Sequence, residues 1–263
     1  MSEFYLIEKD ARGVATITLN RPDIHNAFND EMISGLTRAF DEMNADHSVQ
    51  MIVLTGAGKS FCAGADLNWM KKMKDYTPAE NYEDSLALAG LFRAINNFKG
   101  PVIGKINGAS LGGGSGLVAA CDYVIAKEDA IFGFTEVRLG LVPAVISPFV
   151  MAKIGESQSR AYFLSGERFD AKEAHRIGLV HKISLERHFH NDCDKVIESF
   201  LKAGPKAQQS AKELIRNVLS LGHQGKEAVT DYTCKTISQI RIGDEGQEGM
   251  AALLEKRKPS WLK

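Results

Sequence analysis

An α/β fold on a parallel sheet, followed by an all-helical C-terminal region, is what this sequence predicts, and three observations carry it. Short apolar runs, too brief for helices, recur along the first two-thirds of the chain: Met51-Ile52-Val53-Leu54, Val102–Ile106 and Tyr123-Val124-Ile125-Ala126. Such runs suit parallel strands buried on both faces. Longer stretches of helical spacing separate them, as right-handed crossovers require. From about residue 189 the apolar runs stop and only helical stretches follow. With 263 residues the chain can bury a large core, divided on this reading into residues 1–188 and 189–263.

In chain order, residues 4–9 and 14–19 read as two short strands around a turn at Asp10–Gly13, the second ended by Asn20-Arg21-Pro22. Met32, Leu36, Phe40 and Met43 recur at helical spacing and predict a helix over about 29–45. Met51–Leu54 is a buried strand bounded by Gly56, residues 79–98 form a second long helix, and Val102–Ile106 is the next strand. Tyr123–Ala126 and Ile131-Phe132 continue the pattern. The ligand end of such a sheet lies at the strands' C-termini. The later helices fall at roughly 189–202, 206–220, 224–241 and 245–257, punctuated by Gly204-Pro205, Gly222 and Gly243. A helical appendage of ~70 residues has too little core to stand alone comfortably.

A net charge of −1, with 25% charged residues, leaves no electrostatic footprint for nucleic acid or an anionic membrane. Cys62, Cys121, Cys193 and Cys234 are far apart and form no Cys-x-x-Cys, so reduced thiols in a cytoplasmic setting are expected. No apolar run approaches ~18 residues, and Met1-Ser2-Glu3-Phe4 does not open a signal peptide.

The run Ala109-Ser110-Leu111-Gly112-Gly113-Gly114-Ser115-Gly116-Leu117 is the chain's most informative stretch. Three glycines at a strand-to-helix junction lower helix propensity, so bare backbone must be needed there. A helix N-terminus without side chains presents free N–H donors to an anion, either a phosphate or a transient oxyanion. The phosphate reading has a match: Gly114-Ser115-Gly116-Leu117-Val118-Ala119 fits G-x-G-x-x-G/A, with Glu136 about 20 residues on. Against it, three strands precede the motif, Glu136 follows what reads as a loop, and no Walker pattern exists. The oxyanion reading needs a second donor. Lys59-Ser60-Phe61-Cys62-Ala63-Gly64-Ala65-Asp66 follows the strand at 51–55 as a loop into a helical start. If the two strands are neighbours, the N–H groups of Ala65 and Gly113 converge.

Phe61–Asp66, Gly108–Gly114, Cys121-Asp122, Phe132–Glu136, Gly140-Leu141-Val142-Pro143, Asn20-Arg21-Pro22 with Asn26-Ala27, and the tail Glu248–Arg257 together resemble the crotonase (enoyl-CoA hydratase/isomerase) superfamily, in order and over nearly the whole chain. The resemblance implies a spiral of ββα units, with the C-terminal helical region building homotrimers or homohexamers. It implies an acyl-CoA thioester held with its oxygen between the N–H groups of Ala65 and Gly113, and Glu136 as the acid–base residue. Ala63, Ala65, Asp66, Leu67 and Asn68 would line the adenine and pantetheine path, and Lys256 would reach a CoA phosphate. No metal or other cofactor is implied, CoA being part of the substrate.

Typical hydratases of that superfamily carry a second glutamate, where this chain has Gly116. Single-glutamate members include Δ3,Δ2-enoyl-CoA isomerases. Gly116, together with Thr135-Glu136-Val137-Arg138-Leu139-Gly140-Leu141 and Pro143-Ala144-Val145-Ile146-Ser147-Pro148, resembles bacterial methylglutaconyl-CoA and isohexenylglutaconyl-CoA hydratases. One physical rationale is that a substrate with its own carboxylate would be repelled by a second glutamate, with Arg138 meeting that carboxylate instead. Asp23 stands where many relatives have a lysine near the CoA phosphates. His188-Phe189-His190 lacks a third metal ligand, and Trp69 and Met70 read as pocket wall or helix packing.

Overall fold

A computed structural model describes residues 3–262; the signal-peptide reading falls partly on Met1 and Ser2, outside the described residues. In chain order the strands are β1 (Tyr5–Lys9), β2 (Val14–Leu19), β3 (Met51–Gly56), β4 (Ser60–Cys62), β5 (Val102–Ile106), β6 (Ala109–Leu111), β7 (Tyr123–Lys127), β8 (Ile131–Gly133), β9 (Arg168–Asp170) and β10 (Lys182–Ser184). The helices are α1 (Asp30–Ala45), α2 (Leu67–Met73), α3 (Pro78–Asn97), α4 (Gly113–Ala120), α5 (Ser147–Ser165), α6 (Ala171–Arg176), α7 (Phe189–Leu201), α8 (Pro205–Leu221), α9 (Lys226–Ile242) and α10 (Asp244–Leu254).

The strands make two sheets. The larger has the order β1-β2-β3-β5-β7-β10 and is parallel except for the β1–β2 hairpin. The smaller has the order β4-β6-β8-β9, parallel up to β8 and antiparallel at β9. The chain climbs as a spiral: β3, β5 and β7 each enter the larger sheet, and a short link carries each into β4, β6 or β8 of the smaller one. Because Ile52 pairs with Val102 and Leu54 with Gly104, the loops leaving these strands are stacked beside each other, as the sequence reading required.

Helices seal both layers. Met32, Leu36, Phe40 and Met43 are buried on α1, and the Phe40 ring meets Phe98 edge-on at 6.4 Å. Asn29 caps α1 by accepting the Met32 N–H at 3.0 Å. Thr77 and Glu80 form a capping box on α3. One contiguous core runs from Ala15 to Val180.

Several short elements differ from the expectation. The segments 59–66 and 109–117 read as loop and junction, yet each holds a three-residue strand, β4 and β6, too short to show alternation. The helix expected to 257 stops at Leu254, after which Lys256 takes a left-handed φ of 54°. Helix α5 was not anticipated; Gly155, at φ 71°, breaks its regularity.

Two compact units are present: Met1–Phe98 with Val102–Cys193, and Lys99–Pro101 with Asp194–Lys263. The boundary expected at 188/189 therefore falls five residues later. The first turn of α7 belongs with the sheets: Asp192 accepts the Ser184 hydroxyl at 2.7 Å, and Phe189 and Cys193 are buried. Within the second unit, the Glu245 carboxylate accepts the N–H groups of Lys206 and Ala207 at 3.0 and 2.7 Å, so it caps α8. Lys212 Nζ donates to Gly100 O at 3.1 Å. Among the described residues no helix is long and apolar enough to cross a membrane.

Candidate active site

The segment Arg21–Phe28 is the floor on which the site is laid. Asn26, fully buried at a positive φ of 56°, accepts the Arg21 N–H at 2.8 Å and donates from Nδ2 to Ala57 O and Ser60 O at 2.9 and 2.8 Å. Arg21 in turn donates to Ala27 O at 2.6 Å and pairs with Asp66 at 2.7 Å. Burial works against the Asp66 charge, but hydrogen bonds from Asn68 N–H and Arg21 outweigh it and hold the pKa below the ordinary value. The Asp66 carboxylate is thus occupied by Arg21 and by the cap of α2.

Beside this floor lies the loop Ala63–Asp66. Phe28 N–H donates to Gly64 O and Asp66 N–H donates to Phe28 O, both at 2.9 Å. In this parallel bridge the N–H of the bracketed residue, Ala65, points away from Phe28. Among the described residues it meets no acceptor. The N–H of Gly113, first residue of α4, has no intrahelical acceptor either. The two loops touch: a Cβ on Gly64 would lie 3.8 Å from Gly113 N. Each glycine of the run answers a local constraint. Gly112 sits at φ 52°, a Cβ on Gly113 would lie 2.4 Å from Phe28 Cζ, and one on Gly114 would lie 2.2 Å from Cys62 O.

Glu136 opens a 3-10 turn (136–139) just past β8. Its Oε1 lies 3.3 Å from the Cβ position of Gly112, at the start of α4. Its Oε2 is buried without a hydrogen-bond partner among the described residues. Burial raises its pKa, offset only in part by its own backbone N–H. A half-buried carboxyl kept basic, at the start of α4, can take a proton and return it.

Gly116 corrects the charge-based rationale for the missing glutamate. A Cβ there would lie 2.3 Å from Ile146 Cγ2 and 3.0 Å from Phe92 Cζ. The space is filled by apolar side chains rather than left open for a substrate carboxylate. Gly116 and Ile146, 30 positions apart, are one packing pair. No periodicity in the sequence marks Phe28, Phe92 or Ile146 as neighbours of the site.

The other expected residues are more dispersed. Ala63 is half-buried, and Leu67 and Asn68 are exposed at the start of α2. Arg138 is exposed, donates to Ser165 O at 3.5 Å, and lines a cavity of about 360 Å³ with Thr135, Leu139 and Arg168. Lys256 is exposed in the second unit. Cys62 is buried, its thiol pushed up to about 12 by desolvation. His188 accepts from Arg187, and His190 faces Lys105 at 3.1 Å.

Two predictions follow from this packing. Glu136 binds its proton more tightly folded than unfolded, so its ionisation costs stability as pH rises from the ordinary carboxylate range through the raised folded value. Glu136→Gln should therefore melt at the same temperature as wild type below the ordinary value, and above wild type once pH passes the folded value. A melting gap independent of pH between 3 and 8 is the opposing result. Gly116→Ala should destabilise by about 1–3 kcal/mol despite its better helix propensity, and Gly116→Ala with Ile146→Ala should lose less than the sum of the singles in urea unfolding. Additive losses would show that the two residues do not share the space.

Residues 9–263 match the family described as Enoyl-CoA hydratase/isomerase. The enoyl-CoA hydratase ACTT6 of Alternaria alternata is 36% identical over 246 residues, covering 91% of this chain and 78% of that one. The crystal structure of an enoyl-CoA hydratase from Shewanella pealeana aligns with a TM-score of 0.92 at 36% identity, over 98% of this chain and 96% of that one. Pseudomonas aeruginosa AtuE aligns with a TM-score of 0.93 at 34% identity, over 99% and 100%. Agreement of sequence and backbone over nearly the full length, through the strands and loops that carry Ala65, Gly113 and Glu136, places the chain in the enoyl-CoA hydratase/isomerase family.

Proposed function

We propose that this chain is a hydratase that adds water across the double bond of a 2-enoyl-CoA, with a branched glutaconyl-type acyl group as substrate. The thioester oxygen sits between the N–H groups of Ala65 and Gly113. Water attacks C3 as Glu136 takes its proton, the C2–C3 π pair moves toward the thioester oxygen as an enolate, and Glu136 returns the proton to C2. Atoms and electrons balance with substrate and water alone, so no metal or redox cofactor is needed. The observation that carries this reading is the buried, unpartnered Glu136 Oε2 beside a helix start whose first N–H is open. Each backbone donor contributes roughly 3–4 kcal/mol when charge develops on the oxygen.

The cations Arg138 and Arg168, which line one cavity and meet no carboxylate among the described residues, support an anionic acyl group. Ala63, Asp66, Leu67 and Asn68 line the way in for CoA. The free thiols fit a reducing, cytoplasmic setting. A second reading is favoured by the packing pair of Gly116 and Ile146: with position 116 closed to an acid, Glu136 alone could carry a proton between C2 and C4, as in a Δ3,Δ2-enoyl-CoA isomerase.

Exposed apolar side chains support an oligomer. Ile242, Leu253 and Leu254 on the second unit are about four-fifths exposed, and Leu139, Leu141 and Val142 protrude beyond the Glu136 turn. We expect light scattering to give three or six times 28.8 kDa; a monomer at micromolar concentration contradicts this.

An ultraviolet assay tests the chemistry. Loss of the conjugated enoyl band from 3-methylglutaconyl-CoA, faster than from crotonyl-CoA, is the expected result, whereas a band appearing from a 3-enoyl-CoA would favour isomerisation. Glu136→Gln should slow turnover at least ~100-fold with acyl-CoA binding retained, and Gly113→Pro, lacking the N–H, should abolish turnover in folded protein. Near-normal rates in either variant would remove that residue from the mechanism.

A further inference from the structure

The two proposed oxyanion donors come from loops 48 positions apart, and one residue touches both. Phe28 pairs through its backbone with Gly64 and Asp66, on either side of Ala65, at 2.9 Å in each bond. Its ring lies against the α-carbon of Gly113: a Cβ there would fall 2.4 Å from Cζ, 3.0 Å from Cε1 and 3.5 Å from Cε2. The side chain is 2% exposed and is held edge-on to the buried Trp69 ring, 6.0 Å between centroids. Its own backbone is anchored from behind, where Arg21 bonds both Ala27 O and Asp66, and Asn26 ties the turn to Ala57 and Ser60.

We propose that Phe28 is a positioning residue that sets the separation and mutual angle of the Ala65 and Gly113 N–H groups. A planar ring has few low-energy orientations in a packed core and resists compression, so it acts as a rigid spacer. The backbone hydrogen bonds fix one donor to the spacer and the ring edge at Cζ stops the other. A displacement of ~1 Å at such a site costs about 100-fold in rate, while a ground-state carbonyl tolerates it better than the transition state does. The absent side chain at Gly113 follows as well, since any Cβ would push the spacer out.

This inference rests on the oxyanion reading of Ala65 and Gly113, and the experiment separates the two. Butyryl-CoA labelled with ¹³C at its thioester carbonyl is bound to wild type, Phe28→Leu and Phe40→Leu, and the carbonyl stretch is read by difference infrared spectroscopy beside kcat and KM. Phe40 is an equally buried ring, packed on Phe98 away from both loops, so its loss reports the general effect of removing a core phenylalanine. In wild type the stretch should fall below its value in water. Phe28→Leu should move it back toward water and lower kcat about 10–100-fold with KM changed less than about threefold; Phe40→Leu should do neither.

An unshifted wild-type band overturns the oxyanion reading and this inference with it. A shifted wild-type band that Phe28→Leu leaves in place, with a kcat loss no larger than that of Phe40→Leu, overturns the role of Phe28 alone. Should the leucine variant not fold, Phe28→Met, closer to the native side chain in length, is read against the same outcomes.

Discussion

The parallel stacking of successive strands governs how the rest of the first unit is laid out. Chains satisfy nearly all backbone N–H groups, yet Ala65 and Gly113, both half-exposed, meet no acceptor among the described residues at the mouths of adjacent loops. The parallel pairing of β3 with β5 puts the loops side by side, and the pairing of β4 with β6 draws them together again a few residues on. A two-sheet spiral has this property built in, because each turn ends its long strand and its short strand next to those of the turn before.

Much of that frame was legible. The buried strands β3, β5 and β7 announced themselves as short apolar runs, and α1 by its spacing. Three glycines in a row could only mean a demand for bare backbone. The three-residue strands were not legible, since their pairing depends on partners some 50 positions away and leaves no local period. Helix α5 was hidden by Gly155 within it, whose left-handed φ breaks the helical period. The first turn of α7 buries Phe189 and Cys193, and the first compact unit runs to Cys193, a packing detail that leaves no mark in the sequence.

At the candidate site, residue type and position single out Glu136, Ala65 and Gly113, but what surrounds them is not legible along the chain. Gly116 looked like an omission with an electrostatic purpose. Its meaning lies in Ile146, a methyl of which sits where a side chain would begin. Such complementarity between a missing atom and a present one is invisible along the chain. It also means that the acid–base repertoire of this site cannot be altered at one position without remaking the other.

The tripeptide Lys99–Pro101, between α3 and β5, is counted with the helical unit rather than with its sequence neighbours. Its Gly100 carbonyl accepts from Lys212, 112 positions further on. During synthesis that carbonyl stays without this partner until α8 has left the ribosome, long after β5 has been made. Cutting the chain after Cys193 would sever this link, so the helical unit is not a module that can be excised, exchanged or appended by a single junction.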